Sequence, residues 1–325
     1  MRRRSLLAVA GIVLAARASV DARAQGPARL VWIGPGSAAA EVPRVASVRA
    51  GLAANGLAEG RDYVLEVLTA DGDYKRFPSL AQQAVASRPA LLLVSTILLV
   101  RAAQQATKTI PIVMVGTNDP VGAGLIDSLA RPGGNTTGVA SLSDQSSLKL
   151  VEMMHAALPA ARRVSVLINP GNPTNRPIFD SLRTAARSVG IEAAAIEVAT
   201  PDALDAALAP PPAPQPEALI VVLDAMLVTL AGRIARIGLE RRVAVLGPGR
   251  EQAEAGGLLS YGPSLDDLIR RSAYFVKRIL TGARPQDLPA EQPTKFDLTI
   301  NLKTAKAIGV TFASNMLALA DNVIE

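Results

Sequence analysis

The chain has 325 residues, a formal net charge of +6, 49% hydrophobic residues and no cysteine, which excludes disulfides, thiolate metal sites and a cysteine nucleophile. Five arginines and one aspartate lie within the first 24 residues, so the remainder of the chain carries only +2. With 3% aromatic residues and no basic run outside this leader, the chain lacks the clustered basic and aromatic side chains that nucleic-acid binding requires.

The first 24 residues have the layout of a secretory signal peptide. Arg2-Arg3-Arg4 precedes an apolar stretch at 6–16, and Ala22-Arg23-Ala24 offers a small-x-small cleavage site before Gln25. A transmembrane anchor needs about 20 apolar residues, and charged residues interrupt this stretch sooner. The Sec and Tat routes are both compatible with the leader. We therefore expect cleavage near Ala24 and a periplasmic protein. Because a lipoprotein needs a cysteine at the cleavage point and the chain has none, we expect no lipid anchor.

After the leader, the hydrophobic pattern alternates short strands with helices. The first series has predicted strands at 29–33, 64–68, 90–95 and 112–116, and predicted helices at 43–55, 77–87 and 98–106. The second has strands at 163–168, 191–198, 218–223 and 244–246, and helices at 146–157, 178–189, 201–208 and 226–239. Such alternation favours a parallel sheet covered by helices on both faces, and the length suits two domains of roughly 150 residues. The sequence therefore predicts an α/β fold with two Rossmann-like lobes, and residues 210–216, rich in proline, as a surface connector.

Three separated segments carry a more specific pattern. The first is the polar, glycine-rich stretch 118–138, and the second is Ser260-Tyr261-Gly262-Pro263. The third is 288–296, Leu-Pro-Ala-Glu-Gln-Pro-Thr-Lys-Phe, followed by Asn-Leu-Lys-Thr-Ala-Lys at 301–306. In this order they resemble the ABC-transporter substrate-binding protein family typified by tryptophan/tyrosine-binding lipoproteins. The resemblance covers essentially the whole chain after the leader, and it implies a type I periplasmic-binding-protein fold that holds a ligand between two lobes without altering it.

The resemblance also implies a domain layout with three hinge crossings. Residues 1–24 are then the signal peptide, 25–143 plus 262–288 the first lobe, and 144–261 plus 289–325 the second. A helix at 266–280 returns to the first lobe, while a strand at 296–300 and a helix at 302–308 complete the second. Several crossings permit hinge closure with each lobe kept rigid.

Candidate ligand-binding residues lie where the predicted strands end, because open α/β sheets bind small molecules at the carboxyl ends of their strands. These residues are Ser37, Ser95, Thr96, Asn118, Asp119, Asn169, Asn172, Asp224 and, at a crossing, Tyr261. Hydroxyl and backbone N–H groups can bind a carboxylate, and Asp224 can pair with an ammonium group. Alternative roles are helix capping for Ser37, Asn169, Asn172 and Asp224, an Asx turn at Asp119, and packing between the lobes for Tyr261. Where relatives more often show a Gly-Thr-Pro-Ala-like turn, residues 95–98 are Ser-Thr-Ile-Leu.

Catalytic patterns are missing from the sequence. His155 is the single histidine, without a clustered set of acids for a metal site. No Gly-x-Ser-x-Gly elbow occurs, and Gly34-Pro35-Gly36 lacks the third glycine of a dinucleotide fingerprint. We therefore expect no enzyme activity, cofactor or metal, but a monomeric periplasmic protein that binds an amino acid or related carboxylate and delivers it to an ABC permease. The alternatives are a ligand-sensing module for a membrane-bound sensor and, more weakly, a Rossmann-type enzyme.

Overall fold

The structure, a computed structural model, describes residues 26–209 and 216–325. The predicted signal peptide and most of the proline-rich connector lie outside the described residues. In chain order the strands are β1 (Ala28–Gly34), β2 (Tyr63–Thr69), β3 (Leu91–Val94), β4 (Ile112–Asn118), β5 (Thr136–Ser141), β6 (Arg163–Ile168), β7 (Glu192–Glu197), β8 (Ala218–Val221), β9 (Ala244–Gly247), β10 (Leu259–Gly262), β11 (Asp297–Asn301) and β12 (Asn322–Ile324). The helices are α1 (Ala38–Ala54), α2 (Phe77–Ala86), α3 (Ile97–Ala106), α4 (Ser143–Ala157), α5 (Asn175–Ser188), α6 (Leu204–Ala207), α7 (Ala225–Thr229), α8 (Ala231–Glu240), α9 (Arg250–Glu254), α10 (Leu265–Leu280), α11 (Leu302–Ile308) and α12 (Ser314–Ala318).

Two sheets organise these elements. The first has the order β2-β1-β3-β4-β5 with parallel pairing throughout. The second has the order β12-β11-β10-β9-β8-β6-β7, in which β6 to β10 repeat the strand order of the first sheet. Strand β11 pairs antiparallel with β10, so the second sheet is mixed at this edge. The predicted α/β fold with two Rossmann-like lobes is confirmed.

Helices bury both faces of the first sheet, which explains why its central strands are apolar without alternation. All four residues of β3 are buried. Helices α2 and α3 pack on one face, through residues such as Phe77 and Leu99. Helices α1 and α10 pack on the other, through residues such as Leu52 and Phe275. Helix α10 therefore returns to the first sheet, as the resemblance implies.

The chain passes between the two sheets three times. It leaves the first sheet after β5 and enters α4, whose Leu150 and Met154 belong to the core of the second sheet. It returns after β10, and it crosses again between Glu291 and β11. Before this last crossing, Glu291 is tied to the first sheet by backbone hydrogen bonds with Gly138 and Ala140, of 2.9 and 2.7 Å. The chain thus makes three crossings between the sheets, as the resemblance implies, and the exact lobe boundaries remain a prediction.

Several elements differ from the sequence-based expectations. Strand β5 lies at the end of the segment predicted as a glycine-rich loop, and β12, α9 and α12 were not predicted. The predicted helix 226–239 is divided into α7 and α8 at Leu230. No helix among residues 26–209 and 216–325 combines the length and the apolar character needed to cross a membrane.

Candidate ligand-binding site

A cavity lies between the two sheets, at the carboxyl ends of β1, β3 and β4 on one side and of β8 on the other. Its lining consists of Trp32, Pro35, Arg44, Ser95, Thr96, Ile97, Val115, Gly116, Asn118, Asn172, Thr174, Leu223, Asp224, Ala225, Val228, Leu265 and Ile269. In sheets of this order the order of the strands reverses between β1 and β3, and between β6 and β8, which opens a crevice at the carboxyl ends of those strands. Five predicted site residues, Ser95, Thr96, Asn118, Asn172 and Asp224, line this one cavity.

Asp224 is the centre of the polar network on the second-sheet side. The residue is 1% exposed and begins α7, where its Oδ1 accepts hydrogen bonds from the backbone N–H groups of Met226 (2.9 Å) and Leu227 (3.1 Å). Its Oδ2 accepts from Asn172 Nδ2 at 2.9 Å. Asn169 Nδ2 lies 3.3 Å from both oxygens. Asp224 thus caps a helix, the alternative considered from the sequence, while also lining the cavity.

A hydrogen bond from the first lobe reaches the same carboxylate. Tyr74, in the turn that follows β2, donates from its hydroxyl to Asp224 Oδ2 at 2.8 Å, and its ring stacks on Phe77 with centroids 4.9 Å apart. Burial, reinforced by the negative charge of Asp224, raises the pKa of Tyr74 far above the usual value for tyrosine. The phenol therefore stays a neutral donor, and its bond to Asp224 spans the cleft. Tyr74 is not among the predicted site residues.

We expect Tyr74→Phe to weaken the contact between the two lobes. The substitution keeps the stacked ring but removes one donor from a buried carboxylate, a bond worth about 1.5 kcal/mol, so ligand affinity should fall roughly tenfold. Calorimetric titration measures the affinity, and small-angle scattering shows whether the ligand-free protein expands. Tyr274→Phe is the matched control, because the Tyr274 hydroxyl contacts only the exposed Arg278 among the described residues. Equal affinities for wild type and Tyr74→Phe would contradict a role in closure.

A second buried carboxylate supports the first-sheet side of the cavity. Glu41 is 1% exposed, and its side chain folds back under the turn after β1. A Cβ added at Gly34 would lie 2.2 Å from Glu41 Cδ, so only glycine leaves room for this carboxylate. Its Oε2 accepts from Trp32 Nε1 at 2.9 Å, and its Oε1 accepts from Gly36 N at 2.9 Å and from Arg44 Nη1 at 2.7 Å. The glycines of the Gly-Pro-Gly turn thus make room for a carboxylate that positions Trp32 and Arg44, two residues of the cavity wall.

The loop after β3 is strained where it meets the cavity. Thr96 has a φ of 69°, an unusual value for a β-branched residue, and its hydroxyl caps α3 by accepting from Leu99 N at 3.3 Å. Strain of this kind concentrates at binding sites. Asp119, with a φ of 34°, accepts from Gly122 N at 2.9 Å in a local turn and lines a neighbouring pocket with Pro173 and Thr174 instead.

Besides Asp119, three predicted site residues lie outside the cavity wall. Ser37 is exposed and caps α1, accepting from Ala40 N at 3.3 Å. Asn169 is buried behind Asp224, and its Oδ1 accepts from Gly171 N at 2.9 Å. Tyr261, in β10, stacks on Phe296 beside the third crossing, with centroids 5.9 Å apart. Asn169 thus supports Asp224, while the geometry gives Ser37 a capping role and Tyr261 a packing role. No group of three potential metal-ligating side chains occurs in the part of the chain that the structure describes.

Comparison with known proteins identifies a matching family and several similar structures. Residues 37–324 match the family described as ABC transporter substrate binding protein. A tyrosine-binding protein of Clostridioides difficile (strain R20291) is 25% identical over 269 residues, which cover 82% of this chain and 75% of that protein. A conserved domain protein from Vibrio cholerae has a TM-score of 0.82 at 25% identity, covering 91% of this chain and 99% of its own. The ABC domain from Streptococcus pneumonia in complex with L-Trp has a TM-score of 0.81 at 21% identity, covering 92% and 100%. The predicted type I periplasmic-binding-protein fold is confirmed.

Proposed function

Because the chain belongs to the family of ABC transporter substrate-binding proteins, we propose that it is the periplasmic solute-binding protein of an ABC importer and binds an amino acid or a related carboxylate between its lobes. The family binds substrates rather than converting them, so the chain is not an enzyme. The observation that carries the proposal is the cavity lined from both sheets and spanned by the Tyr74–Asp224 hydrogen bond. Relatives that bind tyrosine and L-Trp support the ligand class.

Closure of the cleft is the proposed mechanism. A ligand favours the closed form only through contacts that the open form lacks. Here the first lobe offers the polar residues Ser95, Thr96 and Asn118, and the second offers Asn172 and Thr174. A ligand that touches both sets adds to the Tyr74–Asp224 bond, and the three crossings let the lobes move as rigid bodies.

The proposal includes export and a membrane partner. The family is extracellular or periplasmic, and the leader supports secretion with cleavage near Ala24. The protein then delivers its ligand, as a monomer, to an ABC permease of the inner membrane. Presentation of the closed form explains how the permease distinguishes loaded from empty protein, because only the loaded protein has both lobes in one fixed arrangement.

A thermal-shift screen of residues 25–325 tests the proposal. The panel contains amino acids, small carboxylates, sugars and nucleosides. A ligand at 100 times its Kd should add about 2.7 kcal/mol to the free energy of unfolding, which corresponds to a rise in Tm of roughly 5 °C or more. A stabilising compound that is recovered unchanged after incubation supports a binding protein. No shift with any compound at millimolar concentration would count against it.

A further inference from the structure

Resting on the proposed function, we infer a narrower ligand class: a carboxylate without an α-ammonium group, whose carboxylate is bound by Arg44 and whose remainder is apolar. Arg44 and Asp224 are the two charged residues in the wall of the cavity. A charged group of the ligand must therefore pair with Arg44 or with Asp224. The two side chains differ in how many of their hydrogen-bonding sites are still open to a ligand.

Asp224 has little capacity left for a ligand ammonium group. A carboxylate offers about four acceptor sites. Two backbone N–H groups occupy Oδ1, while Tyr74 and Asn172 occupy Oδ2, and Asn169 Nδ2 lies within 3.3 Å of each oxygen. With 1% of the residue exposed, an ammonium group could approach only by displacing one of these donors. An α-amino acid would therefore bind at the expense of the network that joins the lobes.

Arg44 retains most of its capacity. A guanidinium has five N–H donors, and among the described residues only Glu41 accepts from Arg44, through Nη1 at 2.7 Å. The Arg44 side chain is 13% exposed and forms part of the cavity wall. Glu41 holds it in place while also accepting from Trp32 and Gly36, so the ion pair fixes the orientation of the guanidinium. A planar guanidinium with a free edge is suited to bidentate recognition of a carboxylate.

The rest of the cavity favours an apolar ligand body. Apolar side chains line the cavity from both lobes. They are Trp32, Ile97, Leu265 and Ile269 from the first lobe, and Leu223 and Val228 from the second. Ligand sites of this kind take specificity from a few polar groups and affinity from apolar contact. An acid with an aromatic or branched aliphatic body matches both the Arg44 guanidinium and the apolar lining.

Matched trios of compounds test the inference. Each trio consists of an amino acid, its analogue without the amino group and its analogue without the carboxylate. Suitable trios are L-tyrosine, 3-(4-hydroxyphenyl)propanoate and tyramine; L-tryptophan, indole-3-propanoate and tryptamine; and L-leucine, 4-methylpentanoate and 3-methylbutylamine. Calorimetric titration is expected to show at least one of these acids binding tenfold or more tightly than its amino acid, with no binding of the amines.

Two variants test Arg44 itself. Arg44→Met alone would leave the buried Glu41 charge unpaired, so the informative variant is Glu41→Gln/Arg44→Met, which removes both charges. We expect it to fold and to bind the preferred acid about 30-fold or more weakly. Glu41→Gln alone keeps the guanidinium and should keep the preference for the acid over the amino acid. Arg49→Met, on the exposed side of α1 and paired with Glu59, is the control that keeps the wild-type affinity.

The outcomes separate this inference from the proposed function. Tighter binding of an amino acid than of its deaminated analogue, or a preferred solute that is a sugar or a nucleoside, overturns the inference while leaving a solute-binding protein. Wild-type affinity of the double variant would mean that Arg44 only balances the charge of Glu41, which also overturns it. No binding to any compound of the trios or the wider panel would contradict both proposals.

Discussion

Asp224→Ala is expected to destabilise the protein by at least about 3 kcal/mol and to abolish ligand-induced closure. The substitution removes the cap of α7, worth about 1 kcal/mol, and leaves the donors of Tyr74, Asn169 and Asn172 without their acceptor at 1–3 kcal/mol for each group that stays buried. Urea unfolding measures the loss. With a urea m-value of about 3 kcal/mol/M, the midpoint should fall by roughly 1 M.

Two variants separate the roles of this carboxylate. Asp224→Asn keeps an acceptor for the helix cap but places an N–H₂ group opposite Tyr74 and Asn172, so we expect an intermediate loss of stability and a weakened cleft. Ser264→Ala removes a cap alone, since Ser264 Oγ accepts from Asp267 N at 3.2 Å at the start of α10, and should cost about 1 kcal/mol. If Asp224→Ala costs no more than Ser264→Ala, then Asp224 is an ordinary cap and the cross-cleft network contributes nothing measurable.

Local patterns predict most of the fold because they coincide with tertiary burial. Strands such as β3 and β8 are apolar on both faces, and turn residues follow them, so their positions can be read along the chain. Strand β5 is different, because Thr-Thr-Gly-Val-Ala-Ser has small side chains and follows Gly133-Gly134-Asn135, a typical turn sequence. Its six residues are all buried through pairing with β4, a long-range contact that local composition does not reveal.

The residues of the candidate site also fall into those that local sequence predicts and those that depend on long-range contacts. Ser95, Asn118 and Asp224 lie at or just beyond the carboxyl ends of β3, β4 and β8, so the rule that ligands bind at strand ends brings them to one cavity. Tyr74 and Arg44 could not be predicted as site residues from the sequence, because their positions at the site depend on the tertiary structure. Tyr74 follows the edge strand β2 and reaches the cavity network only because the lobes meet. Arg44 lies in the middle of α1, and the fold of Glu41 under the Gly-Pro-Gly turn directs it to the cavity wall.

Gly138→Ala is expected to prevent folding or to cost at least about 4 kcal/mol. Gly138 has a φ of 134°, which residues with a Cβ essentially do not adopt, and the added Cβ would lie 2.2 Å from Met114 O and 2.6 Å from Met114 N in the neighbouring strand. Because both contacts are backbone atoms of β4, no side-chain rotation relieves them, and the strands must separate. The yield of soluble protein and the urea midpoint measure the effect.

The control for this prediction is a glycine in the same segment. Gly134 has a φ of 53° but no heavy atom within 4 Å of an added Cβ, so Gly134→Ala should cost only about 1 kcal/mol. Comparable stability of the two variants would mean that β5 does not need its close approach to β4. The distinction matters for function, because Gly138 O accepts from Glu291 N at 2.9 Å and so ties the third crossing to the first. Variants that separate β4 from β5 should therefore impair hinge closure as well as stability. The last glycine of the polar, glycine-rich segment is thus required by the close approach of β5 to β4 rather than by contact with the ligand.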